Sequence, residues 1–192
     1  MALETTVNKI NDAVSALRTG GVIAYPTEYC FGLGCDPQNT QAIDRLLAIK
    51  QRQKEQGVIL IAANIEQISD YADLSLVPDI ARVSESWPGP NTWVLPVKAS
   101  VSSWVKGDHS SIAMRVSGYD LCQQLCIEFG AAIVSTSANR HGQNALLDAE
   151  SVLAEFTNEV DYVLDASTQF DPSKTGLKAS AIRDAITGEQ LR

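Results

Sequence analysis

Two short runs of uninterrupted apolar residues, Val58-Ile59-Leu60-Ile61 and Ala131-Ala132-Ile133-Val134, constrain this chain more than any other feature. Each is too short for a helix, and neither alternates as a half-exposed strand would. Both suit strands, and Gly57-to-Ile61 suits one buried on two faces, which needs covering layers above and below. Helical periodicity supplies those layers. Val7, Ile10, Val14 and Leu17 recur at helical spacing before Gly20-Gly21 stops the pattern, and Ile43, Leu46 and Leu47 mark a second helix over 40–50. Further helical patterns fall at 65–71, 78–86, 120–129 and 148–156. Strands are expected at 22–25, 92–97, 111–116, 162–165 and 180–183, with Trp87-Pro88-Gly89-Pro90 as a rigid connection. The order predicts an α/β fold.

Length and charge narrow the class. A chain of 192 residues fits one domain over 1–192 and buries roughly 70% of its unfolded surface. Its net charge of -8 argues against a broad nucleic-acid surface, while leaving room for a local basic cleft formed by Lys50, Arg52, Lys54, Arg115 and Arg140. No run approaches the ~18 apolar residues of a membrane span, and the opening segment lacks a signal-type apolar core, so a cytoplasmic protein without membrane contact is expected. The four cysteines make no disulfide framework. Cys122 and Cys126 fit the buried face of a helix as small hydrophobes. His109 and His141 stand at no ligand-pair spacing from a cysteine, and Cys30 has no evident base, so neither a tightly bound metal nor a cysteine nucleophile is expected.

Two polar segments suggest the chemistry. Lys50-Gln51-Arg52 emerges at the carboxyl end of the 40–50 helix. Ser135-Thr136-Ser137-Ala138-Asn139 follows the carboxyl end of the 131–134 strand, where open α/β sheets commonly bind ligands. Fixed charges from Lys and Arg, combined with directed neutral donors from Ser, Thr and Asn, suit a polyphosphate. Each residue alone has an ordinary explanation: Lys and Arg favour helix carboxyl ends, and Ser and Asn favour turns. The chain has no G-x-x-x-x-G-K-[ST] loop, and Gly32-Leu33-Gly34 lacks the third glycine of a dinucleotide fingerprint.

Tyr25-Pro26-Thr27-Glu28, Phe31-Gly32-Leu33, Lys50-Gln51-Arg52, Arg115, Ser135-Thr136-Ser137-Ala138-Asn139 and Ser180 occur in the order of the YrdC/TsaC family. The chain resembles the short bacterial form of that family over essentially its whole length. The resemblance implies a three-layer α/β fold around a twisted mixed β-sheet flanked by helices, with a deep positive cavity. It also implies a nucleotidyltransferase that condenses L-threonine, bicarbonate and ATP into threonylcarbamoyl-adenylate, with release of pyrophosphate. A downstream complex then transfers the group to adenosine 37 of tRNA.

The same resemblance assigns the catalytic roles to Lys50, Arg52, Ser137 and Asn139, with Mg²⁺ accompanying ATP. Those four residues, with Ser111 and Arg192, would contact the nucleotide. Thr27, Arg115, Ser135 and Ser180 would surround threonine, with Arg115 facing its carboxylate. This chain has Gln53 and Gln56 where the family usually has Pro and Lys, so Lys54 becomes the candidate replacement charge. Ala179 stands where a close relative would carry Pro. The competing class is a structured-RNA-binding or ribosome-maturation factor. Acidic net charge and the lack of interleaved aromatic and basic runs weigh against it, leaving at most weak tRNA or other RNA binding.

Overall fold

Alternation of side chains along the buried strands divides the interior into two apolar cores. The computed structural model describes residues 2–165 and 178–192. In β1 (Ile23–Pro26), Ile23 and Tyr25 enter one core while Ala24 enters the other. In β3 (Ile59–Ala62), Ile61 joins the first core, and Leu60 and Ala62 join the second. β6 (Ile133–Val134) divides in the same way. The two apolar runs are therefore covered on both faces, as period-two geometry requires.

The first core lies beneath α1 (Ala2–Arg18) and α6 (Asp120–Phe129), which supply Ile10, Val14, Leu17, Leu121, Cys122, Leu125 and Cys126. Cys122 and Cys126 are both fully buried, as their helical spacing predicts. The second core receives Ile43, Leu46 and Leu47 from α2 (Thr40–Lys50) and Val152 from α7 (Ala149–Glu155). Asn39 starts α2 by accepting from the backbone N–H groups of Gln41 and Ala42, satisfying two of the donors that a helix start leaves open.

The mixed sheet expected from sequence is two mixed sheets flanked by helices. One runs in the order β7-β2-β1-β8, where β2 is Phe31–Gly34, β7 is Thr136–Ser137 and β8 is Tyr162–Val163. β1 is antiparallel to β2 and parallel to β8. The other runs β6-β3-β5-β4-β9, with β4 at Asn91–Pro96, β5 at Ser111–Val116 and β9 at Ala181–Asp184. Here β3 is parallel to β5 but antiparallel to β6.

The glycine-bearing segment after Tyr29 allows close backbone approach from within β2. A Cβ at Gly34 would lie 2.5 Å from the Val134 carbonyl oxygen, a separation that only glycine permits. The helices anticipated over 65–71 and 78–86 are shorter, as α3 (Ile65–Ser69) and α4 (Ile80–Glu85). One further short helix, α5 (Ser103–Lys106), has too few turns for its apolar spacing to register in the sequence.

Candidate functional site

The segment 133–137 crosses from one sheet to the other. Val134 pairs with Leu60 of β3, and the next residue donates through its N–H to the Ile59 carbonyl at 2.8 Å. Thr136 and Ser137 then pair with Leu33 and Gly32 of β2. Ser135 is thus the crossing point, and the polar residues beyond it are delivered to the gap between the sheets. A hollow of about 400 Å³ occupies that gap, within the range of small-molecule sites.

The second polar segment arrives from α2. Gln51 adopts a left-handed conformation, φ 49°, and its N–H bonds to the Ala48 and Leu47 carbonyls. This helix stop separates Lys50 from Arg52. Lys50, only 7% exposed, turns inward. Its ammonium donates to the carbonyl oxygens of Ser137 and Asn139, both at 2.6 Å, and to Asn139 Oδ1 at 2.5 Å. An ammonium has three donors, so all are engaged. Burial, and then the neighbouring Arg52 charge, push the Lys50 pKa down to about 8.

The loop is equally self-contained. Ser137 Oγ donates to Asn139 Oδ1 at 2.7 Å, and Asn139 Nδ2 donates to the carbonyls of Arg140 and Gln143 at 3.1 and 2.7 Å. Lys50, Ser137 and Asn139 therefore meet as expected, but in this arrangement they bond to one another. Arg52 differs. Its Nε is buried without a partner among the described residues, and its one bond, to the Gln56 carbonyl, is long at 3.5 Å. Burial lowers its pKa, yet a guanidinium stays charged in proteins. A desolvated cation with unmet donors is the strongest local demand for an anion.

Thr27, Arg115, Ser135, Ser137, Asn139, Ser180 and Arg192 all line the hollow with Arg52. Thr27 donates its hydroxyl to the Cys30 carbonyl at 2.8 Å, and Ser180 shares a 2.9 Å hydrogen bond with Thr92. Arg192 reaches the Ser180 carbonyl at 3.4 Å. Lys50 lies behind the wall. Ser111 opens instead into an adjoining hollow of about 250 Å³, which shares Arg52 and Ile59 with the first.

Besides Lys50, two members of the expected basic cleft do not line the hollow. Arg140 is drawn away by Glu155, at 2.8 Å, and by Glu159, and it covers the Phe156 ring. Lys54 stands 4.1 Å over the Trp104 ring, a cation–π contact, and does not line the hollow. Sequence reasoning passed over Lys178, which does line it, and Glu28, whose carboxylate meets Arg115 at 2.9 Å. Glu28 was visible in the Tyr25-to-Glu28 motif, whereas Lys178 had no distinguishing spacing.

The wall therefore carries Arg52, Arg115, Lys178 and Arg192 against the single carboxylate of Glu28 among the described residues. Burial pushes the Cys30 thiol up to about 11, which leaves it a poor nucleophile. No cluster of three or more His, Cys, Asp or Glu side chains suited to a metal occurs among the described residues. Nor is any described helix long and apolar enough to cross a membrane.

This geometry defines an α/β protein with a cation-lined hollow between two sheets. The chain belongs to the Sua5/YciO/YrdC family, whose model carries the description "Telomere recombination" and matches residues 15–188. It is 41% identical over 190 residues to the threonylcarbamoyl-AMP synthase of Coxiella burnetii, covering 99% of this chain and 100% of that protein. It is 45% identical over 188 residues to the enzyme of the same name from Vibrio cholerae, covering 97% of each. P. abyssi Sua5 superposes with a TM-score of 0.83 at 26% identity, over 95% of this chain and 55% of that longer one. A second structure of P. abyssi Sua5, complexed with L-threonine, gives a TM-score of 0.78 over 91% of this chain and 50% of that one.

Proposed function

We propose that this chain is a threonylcarbamoyl-AMP synthase, acting as a single domain in the cytoplasm at the first step of tRNA threonylcarbamoyl-adenosine modification. Near-full-length relatives bearing that name support the activity. The observation that carries the mechanism is the half-buried guanidinium of Arg52, whose Nε has no partner among the described residues, on the wall shared by two joined hollows in a chain of net charge -8.

The threonine amine attacks the carbon of bicarbonate, and loss of water leaves a carbamate. A carbamate oxygen then forms a bond to the α-phosphorus of ATP as the bond to the bridging oxygen breaks, and pyrophosphate departs with that electron pair. Arg52 and the neighbouring cations stabilise the negative charge on the departing group, while the rigid loop fixes the approach. Ser137 and Asn139 reach phosphate oxygens by exchanging bonds within their network. Ser111 and Arg192 serve the nucleotide end, the former through the adjoining hollow.

Thr27, Arg115, Ser135 and Ser180 receive threonine. The part of the Arg115 guanidinium left free by Glu28 provides donors for its carboxylate. A resident metal does not fit the described wall, because the one carboxylate side chain among its described residues is already bonded to Arg115. Mg²⁺ therefore enters as MgATP, part of the substrate. The labile product passes to a complex that carries out transfer to tRNA. The structured-RNA reading is not favoured, since the cations gather in a hollow of small-molecule size.

The test is pyrophosphate release from the purified protein, omitting threonine, bicarbonate and ATP one at a time. Release should require all three. Full release without threonine or bicarbonate would overturn the assignment.

A further inference from the structure

The Tyr25-to-Glu28 motif contains a carboxylate that the proposed reaction leaves without a role. Glu28 lies in the turn between β1 and β2, the two central strands of the four-stranded sheet, and is 8% exposed. All its described hydrogen bonds reach across to the other sheet. Its Oε1 meets Arg115 Nη1 at 2.9 Å and accepts from Ser117 Oγ at 2.8 Å and the Gly118 N–H at 3.0 Å. Its Oε2 is buried with no hydrogen-bond partner among the described residues.

This one-sided arrangement has a physical consequence. Three donors converge on one oxygen, and Arg115 is held there by an ion pair as well as by a hydrogen bond. Arg115 is itself 9% exposed and lies near the end of β5, just before the residues that complete the cradle. Its held edge faces Glu28, while its side chain also lines the hollow. Thr27, on the same turn, lines that hollow too. A carboxylate that stays paired fixes the orientation of the guanidinium before any ligand arrives. A planar donor set fixed in this way recognises another carboxylate with little further ordering.

We infer that Glu28 is a positioning residue for the amino-acid end of the site: acting through Arg115, it sets the affinity for the substrate carboxylate. The inference rests on the proposed function. It assigns Glu28 no contact with substrate and no proton transfer.

The experiment compares threonine binding by titration calorimetry with the threonine and ATP half-saturation of pyrophosphate release, in wild type, Glu28→Gln and Ser117→Ala. Glu28→Gln keeps the side chain's size and removes its charge. It is expected to weaken threonine binding at least tenfold and leave ATP half-saturation within about twofold. Ser117→Ala removes one supporting donor and should shift threonine binding in the same direction by a smaller factor, about threefold.

An unchanged threonine affinity in folded Glu28→Gln overturns the inference, as does an equal shift for threonine and ATP, the signature of a general structural brace. If Glu28→Gln does not fold, Ser117→Ala decides: a selective threonine shift supports the inference and no shift overturns it. Failure of the wild-type protein to bind threonine would instead overturn the proposed function, so the two failures remain distinct.

Discussion

Replacing Lys50 with Met separates its charge from its bulk, because the unbranched stem remains while the ammonium is lost. The structure gives the size of the effect. Three charge-assisted hydrogen bonds of 2.5–2.6 Å disappear, each worth about 1.5–3 kcal/mol when measured singly. They do not add. The freed carbonyls lie near the hollow and regain water, and the desolvation cost of the ammonium is removed as well. A net loss of about 2–4 kcal/mol is expected, which would place Lys50→Met among the larger single-site effects. Pyrophosphate release should fall about 10²–10³-fold, as when an oriented electrostatic group is removed.

Urea denaturation reads the first quantity and pyrophosphate release the second. Amide hydrogen exchange then tests the physical reason. If Lys50 clamps the 137–143 loop, protection there should fall in Lys50→Met while β3 keeps its protection. Unchanged loop protection would refute the clamp, and wild-type turnover would refute any role for the ammonium.

The pH dependence adds a condition of opposite sign. Burial depresses the Lys50 pKa from its ordinary 10.5 to about 8. Between those values the folded protein binds fewer protons at this site than the unfolded chain. The stability contribution of Lys50 therefore increases as pH rises through that window. The clamp loses its charge over the same range, so turnover should fall above about pH 8 while this contribution to stability improves.

Other substitutions follow from the same geometry. Arg52→Ala should reduce pyrophosphate release about 10²-fold or more with little loss of stability, since its side chain makes a single long hydrogen bond among the described residues; a turnover ratio against wild type near one would reject this role. Arg115→Ala leaves Glu28 as an unpaired buried charge and should cost about 3–5 kcal/mol in a denaturation experiment, with threonine half-saturation rising more than that of ATP. Gln53 has φ -73°, close to the value proline imposes, so Gln53→Pro should raise stability by about 0.4–1 kcal/mol; a lower denaturation midpoint would show that the site rejects the ring.

Much of the layer plan was legible from local pattern. The apolar run at 57–61 became a strand with two buried faces, the run at 131–134 holds the shorter strand Ile133–Val134, and Cys122 and Cys126 entered the core as small hydrophobes. The short α5 and the division into two sheets were not legible, because neither a single helical turn nor long-range strand pairing leaves a periodic trace. The site divided similarly. The ordered motifs marked Thr27, Lys50, Arg52, Arg115 and the 135–139 segment. They gave no sign that Arg140 would be taken by Glu155 and Glu159 or that Lys54 would cover Trp104.

Sequence by itself determined the alternation of helices and buried strands, the family, and the set of polar residues available to the hollow. Only the tertiary structure decided which cations remain unpaired. That outcome depends on partners far apart in the chain: Lys50 is occupied by the loop 87 and 89 residues later, while Arg52, two positions beyond Lys50, has a buried Nε without a partner among the described residues. Charge is a property of the residue, but its availability depends on how the fold desolvates it and what it places within reach.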